Sequence, residues 1–123
     1  MVEVLVSTYS ITIPNFHPVT LNKLIKMHWS KASQAKLMDM QMMAIYLYKY
    51  NVPKAEGKRK VDLTIHANGR GRPADPDAYF KSVLDGLVRT GYLKDDSAKW
   101  ALITPAEVIK GKTKSTTITL TDL

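Results

Sequence analysis

From Met38 to Tyr48 nearly every residue is apolar, with Met40, Met42, Met43, Ile45 and Leu47 joined by Tyr46 and Tyr48. The surrounding stretch predicts one long helix, with Ser30 as its N-cap, running to about Tyr50 and ended by Asn51 and Pro53. One apolar stripe is enough to seat a helix on a sheet. A helix apolar on more than one side needs a second cover; the expectation is a second copy of the chain, a homodimer, and the alternative is the domain's own loops, since Met also fills gaps in a core.

The rest of the chain offers the strands for that sheet. Val2 to Ile13 is rich in β-branched residues and reads as a first strand closed by Pro14, followed by a short helical turn at Leu21 to Ile25. Val61, Leu63, Ile65 and Ala67 alternate with Asp62, Thr64 and His66, the pattern of a half-buried strand. Pro76 suits the first position of a second helix, with Asp75 as its cap, an apolar face at Val83, Leu84, Leu87 and Val88, and a stop at Gly91. Ala98 to Val108 and Thr113 to Leu120 read as two strands joined through Lys110-Gly111-Lys112. The expectation is one α/β domain of the α+β kind over residues 1–123. Its sheet is small and mixed, with about four strands and a C-terminal antiparallel hairpin, and its two helices pack on one face.

Charge narrows the function. Eighteen Lys and Arg against eleven acidic residues give a net charge of +7, which favours a polyanionic partner. No apolar run approaches the roughly 18 residues needed to span a bilayer, so no membrane is expected. Met1 to Val6 carries neither a basic leader nor a small-residue cleavage site, and the expected location is cytoplasmic. With no cysteine, a bound metal would be a hard cation held by oxygen.

Five of the eleven acids fall between Asp75 and Asp96, a negative cluster in a positive chain. Such a cluster repels a nucleic acid unless divalent cations stand between them, which points to metal-assisted chemistry on a phosphodiester. A residue before proline is pushed out of the α region, so Asp75 should lie outside the helix while Asp77 lies in its first turn and the two side chains converge. Lys81, four residues after Asp77, is placed to offset their charge or meet a phosphate oxygen. Asp96 lies on the turn that returns towards the same helix. Arg70 and Arg72, in the loop Asn68 to Pro73, would track a backbone. The competing reading of each is structural: Asp75 as an ordinary cap, Asp77 favoured by the helix dipole, Lys81 paired with Asp77 or Asp85, and Asp95-Asp96 a solvated turn.

The block from Asp75-Pro76-Asp77-Ala78-Tyr79-Phe80-Lys81 through Asp85-Gly86-Leu87 to Gly91-Tyr92-Leu93-Lys94-Asp95-Asp96 resembles the RusA-type Holliday-junction resolvases. Tyr9 to Pro14 resembles that family's opening strand, and Asn22 the asparagine of its following loop. The resemblance implies that Asp75, Asp77 and Asp96 bind Mg²⁺, that Lys81 assists at the scissile phosphate, and that Asn22 contacts DNA. It also implies a homodimer that cuts two strands of a four-way junction. Ala78 and Ala74 depart from the family pattern, where asparagine and a basic residue are usual, and the departure bears on substrate positioning. Two other readings stay open: a basic DNA-binding relative without catalysis, and a small metal-dependent nucleotide phosphohydrolase.

Overall fold

Alternating residues decide which face of each strand turns inward, and in this chain they build a sheet with one greasy and one polar side. The computed structural model describes residues 7–69 and 75–123. Strand β1 (Thr8–Pro14) leads to helices α1 (Leu21–Lys26) and α2 (Trp29–Lys49), then to β2 (Arg59–Ala67). A 3₁₀ turn (Pro76–Tyr79) runs into α3 (Phe80–Thr90), followed by β3 (Ala101–Ile103), β4 (Glu107–Lys110) and β5 (Ser115–Asp122). The expected α+β class is what the chain adopts, and Val2 to Val6 of the expected first strand lie outside the described residues.

The inward face carries Ile11 and Ile13 of β1, Val61, Leu63 and Ile65 of β2, and Ile118 and Leu120 of β5, all at most 2% exposed. Against it pack Met43 and Leu47 of α2 and Val83 and Leu87 of α3. Each such side chain contributes about 1.5 to 3 kcal/mol by leaving water, so this layer dominates the stability. The other face carries hydroxyl pairs across β1 and β5, Ser10 with Thr119 at 3.0 Å and Thr12 with Thr117 at 2.9 Å, both exposed.

The C-terminal hairpin is corrected. β4 and β5 do not pair with each other; they flank β2, β4 in parallel (Thr64 opposite Glu107) and β5 antiparallel (Leu63 opposite Ile118). Gly111 donates its N–H to the Ala67 carbonyl at 2.8 Å, and residues 111–114 carry the chain past the end of β2 to its other edge. The reason lies in burial. β5 alternates buried residues along its length and takes a central place between β1 and β2, whereas β4 is mostly exposed and suits an edge. The expected strand Ala98 to Val108 is also two strands, both parallel to β2, split at Thr104-Pro105-Ala106. Proline has no N–H to donate there, and Thr104 folds back to give its N–H to the Val61 carbonyl at 3.2 Å and its hydroxyl to the Asp62 carboxylate at 2.5 Å. A parallel return needs a crossover, and α3 is that crossover. The sheet thus has five strands, one more than expected.

The long helix begins two residues earlier than expected. His28 rather than Ser30 caps it, its Nδ1 accepting the Ser30 N–H at 3.3 Å. Asn51 closes it in the left-handed region, with φ of 57°. α2 and α3 meet closely at Gly86, where an added Cβ would collide with the Met43 methyl and touch the Met40 backbone. Among the described residues no helix is long and apolar enough to cross a membrane.

Candidate active site

Proline shapes the entrance to α3. Asp75, forced out of the helical region, sits at φ −56° and ψ 135°, and its carbonyl accepts the Ala78 N–H at 3.0 Å. The expected helix start at Pro76 is a 3₁₀ turn, and α3 proper begins at Phe80. The Asp75 side chain does not cap this turn. Asp75 and Asp77 are both exposed, and among the described residues neither carboxylate has a hydrogen bond or an ion pair. Asp77 lines a shallow, open depression of about 380 Å³ together with Ile103, Thr104 and Pro105, the kink between β3 and β4.

Lys81 does not turn back to Asp77. Its ammonium lies 3.5 Å from Asp85, one turn further along α3, and Asp85 also receives Lys36 of α2 at 2.9 Å. The 3₁₀ turn explains this, because tighter winding takes residues 77 and 81 off a shared α-helical face. Lys81 keeps about half its surface, 52%, and Asp85 already has a second cation.

Asp96 is exposed and, with Asp95, lines a pocket of about 310 Å³ against Lys36, Asp85 and Arg89. From Asp77 to Asp85 the chain rises about 13 Å along the axis, so the two acidic pairs face different lengths of α3. Among the described residues no group of three Asp, Glu or His side chains stands arranged to hold a metal ion. Asp75 and Asp77 fit a hard cation, being neighbouring, exposed oxygen donors without protein partners. Asp96 keeps company with Asp85 and Asp95 instead. Asn22 is exposed on α1, and Arg70 and Arg72 lie outside the described residues.

One pocket had no place in the sequence reading. His17, Lys23, Asp39, Tyr79 and Lys114 line a space of about 630 Å³ beside the 3₁₀ turn. Asp39 is 8% exposed, and its Oδ2 accepts the Val19 N–H and the Ser82 hydroxyl, each at 2.7 Å. Burial raises its pKa above the usual carboxylate value, against the two hydrogen bonds that lower it. The signal was present: Asp39, Met43 and Leu47 recur at four-residue spacing, an acid on the stripe that faces inward.

No protein-family model matches this chain, and no curated protein matches it.

Proposed function

We propose that the protein is a Mg²⁺-dependent, structure-selective endodeoxyribonuclease of the cytoplasm that resolves four-way DNA junctions as a homodimer. The observation that carries this reading is the pair Asp75 and Asp77, exposed and without protein partners among the described residues, at the mouth of α3 in a chain of net charge +7. Exposed carboxylates need no protein donor, and two of them at one helix mouth leave their oxygens open to a hard cation.

Asp75 and Asp77 would hold the ion, with Asp96 as a third ligand if the turn after α3 draws towards them. Bound there, Mg²⁺ supplies a water of lowered pKa and neutralises charge on the phosphate. Lys81 leaves Asp85 to meet the phosphate oxygens as negative charge develops on them, and Lys36 keeps Asp85 neutralised when it does. Leu37, Met38, Met42, Ile45 and Tyr48 are 39 to 82% exposed along α2. That apolar stripe supports a second copy, whose two-fold symmetry would set two sites in antiparallel relation, as a four-way junction requires.

A second reading is a basic DNA-binding protein without catalysis, favoured by the separation of Asp96 from Asp75 and Asp77. Incubating the purified protein with end-labelled four-way junctions and matched duplexes, with and without Mg²⁺, decides between them. Nicks in the junction only with Mg²⁺ support the nuclease. A retarded junction whose strands stay intact at every Mg²⁺ concentration supports the binding protein.

A further inference from the structure

The pocket beside the 3₁₀ turn has a built floor and a charged rim. Four hydrogen bonds fix the segment leading from β1 into α1. Asn15 gives its N–H to the Lys114 carbonyl at 2.8 Å, and Thr116 gives its hydroxyl to the Phe16 carbonyl at 2.7 Å. His17 Nε2–H donates to the His66 carbonyl at 2.7 Å, and Val19 donates to Asp39. Lys23 and Lys114 come from distant parts of the chain and stand on the rim, both exposed. Asp39 lines the same pocket with its Oδ2 taken by two donors, and among the described residues no ion pair joins it to either lysine.

Tyr79 supplies an independent sign. It is 6% exposed, yet among the described residues its hydroxyl has no hydrogen-bond partner, so the O–H opens onto the pocket. A phenol O–H is a hydrogen-bond donor. Two ammonium groups and a fixed O–H around one cavity fit a monoanion with several acceptor oxygens. Tyr79 shares its turn with Asp77, and α1 packs on that turn, so a bound group would sit next to the candidate scissile position.

We propose that this pocket is a phosphate subsite, in which Lys23, Lys114 and the Tyr79 hydroxyl grip a backbone phosphodiester of DNA next to the bond that is cut. It deepens the nuclease reading and rests on that reading for the identity of the strand. The pocket positions the strand, and no covalent step occurs in it.

Fluorescence anisotropy of a labelled four-way junction in EDTA, over a series of salt concentrations, tests binding apart from cleavage. Lys23→Ala with Lys114→Ala should weaken binding about tenfold or more, and should lower the slope of log affinity against log salt by about 0.9 for each phosphate no longer neutralised. Tyr79→Phe, which keeps the buried ring, should cost about fivefold at constant slope. The control is Lys58→Ala with Lys99→Ala, two exposed lysines at the opposite end of β2. Equal losses in the control, or unchanged affinity in the first pair and in Tyr79→Phe, would overturn the subsite. Wild-type protein that binds through this pocket and never nicks with Mg²⁺ removes the nuclease and leaves the subsite supported. Wild-type protein that does not bind the junction removes both.

Discussion

Two aspartate-bearing corners of the molecule treat the same side chain in opposite ways. At Asp39 the carboxylate is 8% exposed and holds two donors, tying the chain before α1 to α3 through Ser82. At the mouth of α3, Asp75 and Asp77 face solvent and hold no protein donor among the described residues. A buried polar group must be satisfied or it destabilises the fold, so Asp39 belongs to the architecture. An exposed group without partners contributes little to folding and is free for a ligand. Arg59 repeats the first pattern with opposite sign: it is 1% exposed and bonded to Asp122 at 2.7 Å and to the Tyr92 carbonyl at 3.0 Å.

The contrast breaks most readily at Asp77. Asp77→Asn should lower the rate of junction nicking at least about a hundredfold, while the unfolding free energy moves by no more than about 0.5 kcal/mol. Chemical denaturation alongside the cleavage assay reads both. Asp39→Ala should do the reverse, losing about 2 to 3 kcal/mol of stability because the Val19 N–H and the Ser82 hydroxyl are left in a buried site without their acceptor. Ser82→Ala removes one of those donors from a carboxylate and should cost less, about 1 to 2 kcal/mol by the same denaturation.

Titration sharpens the comparison further. Asp39 has a folded pKa raised above its ordinary 3.8 by burial. Between those two values the folded chain holds a proton that the unfolded chain has released, so this group's contribution is greatest below 3.8 and is lost as pH rises through the folded value. Wild type should therefore gain stability relative to Asp39→Asn as pH falls from neutral towards about 4, seen in melting curves of both proteins. The smallest effect is expected from Lys36→Ala, after which Asp85 keeps its pairing with Lys81. A partly exposed ion pair is worth about 1 kcal/mol or less, so stability should barely change while nicking falls a few-fold.

The elements were legible where periodicity is local. Val61, Leu63 and Ile65 announced β2, and the apolar run of Met38 to Tyr48, closed at Asn51, announced α2. Pairing was less legible, because a parallel partner is chosen by what a crossover brings back. Nothing local in Glu107 to Lys110 says that it lies beside Thr64 to Ala67 rather than beside the next strand. Lys110-Gly111-Lys112 has the residues of a hairpin turn, yet the deeper burial demanded by Ile118 and Leu120 draws β5 to the centre of the sheet. At the site, Pro76 gave away the extended Asp75. Asp85 was one of the two partners the spacing offered Lys81, whereas the 3₁₀ winding of Pro76–Tyr79 has no local signal beyond the proline. The pocket at Tyr79 draws its residues from well-separated segments, and no sequence window contains it.

The most direct measurement is single-turnover cleavage of a labelled four-way junction in Mg²⁺, with protein in excess of its dissociation constant, for wild type, Asp77→Asn and Asp39→Asn. The account predicts that Asp77→Asn binds the junction and leaves it whole, while Asp39→Asn, wherever it remains folded, cuts it at close to the wild-type rate. Undiminished cleavage by Asp77→Asn would contradict it.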